Sequence, residues 1–322
     1  MKTNSITKFL ALAALGFSAV TAFGAPPYPV VVGDRWGFTD KSGKLVINPQ
    51  FERAGNFASG LAEVRLGKWG YVDKSGKLAI NPQFDEAQSF SEGLAAVKFD
   101  RRYGYISTDG KYVVNPQFDS AGPFAEGRAA VKLARRYGYI DKTGKLIITP
   151  QFESASEFSE DLAAIELNHR FGYLDASGKI VINPQFESAG PFSGGLAEIK
   201  MAKRWGFIDK TGKIVINPQF EMVHSFVKGL APARVGDRWG FIDQAGHLVI
   251  NPQFDDATAF SEDLACVRLA GRWGYIDKSG KFVINPQFDE ASPFADGLAR
   301  VKVGRKTGYV DANGKYVWNP SN

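Results

Sequence analysis

Cysteine and histidine are almost absent from this 322-residue chain, which has one Cys and three His. A lone Cys266 excludes an internal disulfide, and without further thiols the histidines offer little to a metal centre. His169 falls in a variable turn, His224 between two phenylalanines and His247 at a turn position otherwise held by lysine, so they share no spacing. No run is apolar for long enough to span a bilayer. No window carries apolar residues at a helical period, which excludes a helical domain. Excess charge is small, at a formal +5, and basic residues alternate with Asp and Glu, unlike a nucleic-acid-binding face.

The first two dozen residues stand apart from the rest. Lys2 and Lys8 precede the short apolar run from Phe9 to Phe17, and the small residues Ser18, Ala19, Thr21, Ala22, Gly24 and Ala25 follow. A basic start, a short apolar centre and a small-residue end describe a secretory signal peptide. Residues 1–24 are read as that signal, with cleavage after Ala22 or Gly24, and no nearby cysteine offers a lipid anchor. The expected mature protein is exported to the periplasm or outside a bacterium, with no transmembrane segment, and loss of Lys2 and Lys8 lowers its charge to +3.

What the chain has in abundance is repetition. A glycine in the setting aromatic-Gly-aromatic-aliphatic-Asp, with single departures at Thr39, Ser107 and Thr307, recurs at Gly37, Gly70, Gly104, Gly138, Gly172, Gly206, Gly240, Gly274 and Gly308, spaced by 33 or 34 residues. A fixed period of this size marks a repeat architecture, so residues 25–322 form one domain of nine units, the last truncated. Within a unit, short β-branched and aromatic runs such as Leu94–Lys98, Tyr103–Ile106 and Tyr112–Val114 are separated by turn residues, the pattern of strands. In turns such as Asp73-Lys74-Ser75-Gly76-Lys77 the Gly is kept in all nine copies, as a hairpin closed by a left-handed residue demands. Asn-Pro-Gln-Phe ends the third strand, since Pro cannot donate to a ladder. Two Phe per unit, such as Phe84 and Phe90, are core candidates. Apolar residues on both faces of each strand predict sheets covered on both sides. The fold expected is all-β, with nine small antiparallel units stacked as a propeller or as an open lock-washer spiral. The ends show no split unit to fasten them, and nine is many for a closed ring, while Thr307 and Trp318 look like capping changes.

The segment Arg204-Trp-Gly-Phe-Ile-Asp-Lys-Thr-Gly-Lys-Ile-Val-Ile-Asn-Pro-Gln-Phe220 resembles the WG repeat, also called the KWG repeat, of bacterial proteins, and the likeness runs from about Val30 to Pro320. It implies an exported β-repeat scaffold and transfers no catalytic residues. Tyr103, Tyr137, Phe171 and Thr307 depart from the motif's Trp.

Chemistry is harder to find. Lys-Ser-Gly-Lys is shared with phosphate loops, but the longer glycine-rich run and helix are missing. Pairs such as Asp85-Glu86, Asp255-Asp256 and Asp289-Glu290 suit glycoside hydrolysis in type, yet an acid follows Phe in eight units and is read as solvated loop charge. Cys266 takes a place filled elsewhere by Glu63, Ala96, Ala130, Ala164, Glu198 and Arg300, which reads as an undemanding position. No catalytic, cofactor or metal residues are assigned. The positive signal is a row of hairpin lysines, Lys44, Lys77, Lys111, Lys145, Lys179, Lys213, Lys281 and Lys315, a candidate rim for a protein or an envelope glycan. Charged tips also keep strand edges apart. The expectation is a non-enzymatic binding scaffold, the alternative a hydrolase-like enzyme of the cell envelope with an unrecognised site.

Overall fold

The computed structural model describes residues 26–321, so the expected signal lies outside the described residues. The chain forms nine antiparallel sheets in sequence order, eight of four strands and the first of three. The opening unit is β1 (Tyr28–Val32), β2 (Arg35–Thr39) and β3 (Leu45–Phe51). The next unit shows the full plan, with β4 (Arg53–Ala54), β5 (Leu61–Leu66), β6 (Lys68–Asp73) and β7 (Leu78–Phe84) paired in that order. Short first strands of neighbouring blades come close enough to hydrogen-bond, as Gln88 Nε2 does to the Ala121 carbonyl at 3.2 Å. They therefore line the axis, while the Leu-Val-Ile strands form the perimeter.

The core lies between blades. In one seam Leu61, Tyr71, Ile80 and Phe84 of blade 2 pack on Phe90, Ala95, Val97 and Ile106 of blade 3. Such packing explains the apolar residues on both strand faces, because each sheet has a neighbour on either side. The same contacts recur around the ring. Eight aromatic pairs, from Phe38–Phe57 to Tyr275–Phe294, join each blade to the inner turn of the next at 4.7–5.1 Å between centroids. Of the sixteen phenylalanines that occur two to a unit, from Phe51 and Phe57 to Phe288 and Phe294, fifteen are buried and Phe57 is partly covered. Each such ring stabilises by roughly 2–3 kcal/mol.

Two glycine positions have distinct reasons. In the hairpin turn Gly76 has φ +85° and lies against Ile47 of the preceding blade. The motif glycine instead has the perimeter strand pressed onto it. That strand bulges opposite β2, β6 and their counterparts, and an added Cβ on Gly138 would stand 2.7 Å from Pro150 N and closer still to the Ile148 carbonyl.

The ring closes. Tyr309 donates to the Pro29 carbonyl at 2.8 Å, and Tyr28 donates to the Asp296 carbonyl at 2.7 Å. Val317 and Trp318 pack with Tyr28 and Val30, and Gly43 receives the Val317 carbonyl as other turn glycines receive an aliphatic side chain. Of the two arrangements expected, the structure is the closed propeller. One expectation is corrected: among the described residues the unit short of a strand is the first, since the ninth has four. The connectors that follow each Phe carry the inner strands, which counting strand triplets overlooks.

A candidate binding cleft at the ring seam

Eight inter-blade junctions are near copies, and the ninth breaks the pattern. Blade 1 lacks an inner strand among the described residues, and a cavity of about 640 Å³ lies where that strand would run. Its walls are Gly55, Asn56 and Glu63 from blade 2 and Ser292, Asp296 and Arg300 from blade 9, with the chain's own Pro26 to Pro29 as floor. A second hollow of about 240 Å³ continues past Trp36 and Arg300 to Thr307. Thr307 stands where other blades carry Trp, Tyr or Phe, so a small side chain leaves this space open.

The blade's own residues fill part of the gap. Tyr28 occupies the place of Ala62 in blade 2, and its ring meets Tyr309 at 5.7 Å, taking the socket that a Phe fills at every other junction. Burial, with the carboxylates of Asp296 and Glu262, pushes the Tyr28 hydroxyl up to about 12. Elsewhere the motif tyrosine donates to the next inner strand, as Tyr71 does to Gln88 O and Tyr275 to Ser292 O. Among the described residues Tyr309 has no such strand to reach, and it donates to Pro29.

The position shared by Glu63, Cys266 and Arg300 also accepts Ala96, Ala130 and Ala164, so it is undemanding in residue type. It faces the inner strand of the following blade. Glu63 accepts from Ser89 Oγ at 3.0 Å, Glu198 accepts from Ser225 Oγ at 3.1 Å, and Cys266 Sγ lies 3.8 Å from Ala291 O. Burial raises both glutamates and pushes the Cys266 thiol up to about 12, so that thiol is inert. Arg300 is the member with nothing opposite. Its guanidinium is exposed and has no hydrogen-bond or ion-pair partner among the described residues. The Ser89–Glu63 pair in the cleft has the form of a nucleophile with a base, but Ser225–Glu198 repeats it at an ordinary junction, so packing accounts for it.

The lysine row is placed as a ring. Lys44, Lys77, Lys111, Lys145, Lys179, Lys213, Lys281 and Lys315 all start the perimeter strand on the same face, and all are exposed. Each sits beside a turn acid. Asp209 Oδ1, for example, accepts the backbone N–H of Lys213 at 3.1 Å, and Lys111 pairs with Asp109 at 2.8 Å. These acids oppose the charge of the row, so it is a mixed-charge rim. His247 interrupts it and pairs with Asp243.

The acid after Phe is more than solvated charge. Asp255 takes Arg238 of the preceding blade on one oxygen and the Gly271 N–H of its own blade on the other. Asp289 does the same with Arg272 and Gly304, and Glu221 with Arg204 and Gly236. The clasp needs both the spacing and the ring to be recognised. Glu153, Glu166 and His169 place ligand atoms within 4.8 Å of one another, but Glu153 is engaged by Arg136 and by the His169 backbone in this same clasp. His224, the third histidine, stacks on Trp239 with ring planes 2° apart, and burial lowers its pKa.

The family model for WG containing repeats matches residues 36–68, 69–102, 103–134, 137–168, 171–204, 205–239, 239–273 and 273–306. The chain belongs to the WG-repeat family. Among solved structures, this WG-repeat chain is similar to a eukaryotic initiation factor, with TM-score 0.63 at 11% identity over 90% of this chain and 94% of that one. That likeness is one of fold. BamB from Moraxella catarrhalis gives TM-score 0.47 at 10% identity, covering 89% and 91%. The extracellular domain of a one-component system from B. thetaiotaomicron gives 0.41 at 10%, covering 88% of this chain and 52% of that one. No protein of curated function matches the sequence. No helix among the described residues is long and apolar enough to cross a membrane.

Proposed function

We propose that this WG-repeat propeller is an exported, non-catalytic binding scaffold of the bacterial envelope. One observation carries the reading: among the described residues the seam between blades 9 and 1 is the junction without an inner strand, and its cleft holds a guanidinium with no hydrogen-bond or ion-pair partner. Propellers commonly bind at such rims and channel mouths, because rigid blades hold their loops in fixed places. Export rests on the N-terminal sequence pattern. A protein or glycan of the envelope is the expected partner, held at the seam or along the lysine rim.

Capture from envelope extract tests both faces. The wild-type protein should retain a saturable partner, and reversing Lys44, Lys77 and Lys111 to Glu should weaken retention several-fold if the rim takes part. Unchanged retention assigns binding to another face. Turnover of an envelope polymer that Ser89→Ala abolishes would overturn the non-catalytic reading.

A further inference from the structure

We propose that the seam cleft receives an extended, acidic peptide segment that adds to β1 as the missing inner strand of blade 1, its carboxylate facing Arg300. The proposal rests on the scaffold reading and names its partner. The chain itself displays the filled form of the site eight times, since every other blade carries an inner strand in this place.

The flanks of the cleft are the inner strands of blades 2 and 9, so an inserted segment would complete the ring around the axis. Strand addition of this kind takes affinity from the backbone and specificity from individual side chains. The proline at the edge of β1 does not block it. Pro232 holds the equivalent place in blade 7, and its carbonyl accepts the His224 N–H of that blade's inner strand at 3.1 Å. Pro29 offers the same carbonyl. Its present donor, Tyr309, has counterparts that donate to the third residue of the following inner strand, so a bound segment gives that hydroxyl its usual acceptor.

Side-chain preference follows from the neighbouring junctions. Glu63 and Glu198 each contact the fourth residue of the next inner strand, Ser89 and Ser225. Arg300 occupies the same position in blade 9 and faces the fourth place of a strand that blade 1 lacks among the described residues. A carboxylate there gains a charge-assisted hydrogen bond. The fifth place needs no Phe, because Tyr28 already fills the aromatic socket. The segment is therefore short, small and acidic, with a form such as Ser-Ala-Gly-Asp-Ala. A cavity near 640 Å³ is within the usual range for a specific site.

The test is calorimetric titration of the full protein with capped Ser-Ala-Gly-Asp-Ala and with versions carrying Asn or Lys in place of Asp. The Asp peptide should bind at least ten-fold more tightly than the Asn peptide. Arg300→Glu should reverse the order, favouring the Lys peptide, while circular dichroism stays unchanged. Gln185→Glu, on the perimeter strand of blade 5, should leave both affinities as they are. Absence of peptide binding at millimolar concentration, or an Asp preference that survives Arg300→Glu, overturns the proposal. So does Arg300-dependent binding of a uronate oligosaccharide without any peptide binding. Failure here with partner capture intact at the lysine rim would leave the scaffold reading standing.

Discussion

Residues in this protein are chosen by what presses on them. The motif glycine is the clearest case. Its partners are backbone atoms of the bulged perimeter strand, which do not yield as a side-chain end would. Gly138→Ala should cost about 3 kcal/mol, the upper range for forcing atoms into packed space. Gly122→Ala places its Cβ 3.5 Å from Ala130 O, an ordinary contact, and should stay within about 0.5 kcal/mol. Urea denaturation of the two variants checks the contrast, and equal losses would mean that the close approach is not limiting. The sequence displays the nine glycines but not their reason, since the arch of Ile-Asn-Pro over the glycine appears only once the strands are paired.

The buried acids carry a pH signature of their own. Burial raises Glu198, so the folded state holds its proton more tightly than the unfolded chain does. Its destabilising effect is absent at pH below the ordinary glutamate value and grows as pH rises through the raised one. Glu198→Gln should therefore raise Tm at pH 7 and have little effect at pH 4. Thermal scans at both values decide it.

At the scale of elements, the hairpin between the third and perimeter strands is a self-contained device. Asp209 Oδ1 accepts from Thr211 N–H, Thr211 Oγ and Lys213 N–H, and these bonds lower its pKa. Asp40, Asp73, Asp141, Asp175 and Asp277 are lowered in the same way, each first by a side-chain hydrogen bond from the Ser or Thr two residues on. A depressed pKa contributes stability above the ordinary aspartate value and loses it as pH falls through the folded one. Part of the stability should therefore be lost as pH falls below the ordinary aspartate value. Combined Asp-to-Asn changes in three of these turns should flatten that loss in a circular-dichroism titration.

These turns were legible in full, because Asp-Lys-Ser/Thr-Gly-Lys states its own geometry through local bonds. The inner strands were not. Arg53-Ala54 is two residues long and paired only by its neighbours, so nothing in its own sequence marks it as a strand. The cleft was hidden for the same reason: an absent element is visible only when its eight equivalents are known.

The whole molecule is a ring fastened by side chains. Among the described residues no neighbouring blades share a strand, and the seam between blades 9 and 1 also lacks an inner strand. Local opening should therefore begin there. Hydrogen exchange should show β1 and the strands of residues 298–321 protecting their amides less than the equivalents in blade 5, by ten-fold or more. Tyr309→Phe, which removes the bond to Pro29, should widen that gap while leaving blade 5 unchanged. Uniform protection around the ring would contradict this.

Because every sheet is made from one uninterrupted stretch of chain, the gene's register and the blade boundary coincide closely. Unequal recombination can add or delete a copy without leaving any sheet composed of mismatched halves. The circumference of such a ring is then a heritable variable, limited by how far two unlinked ends can be made to meet.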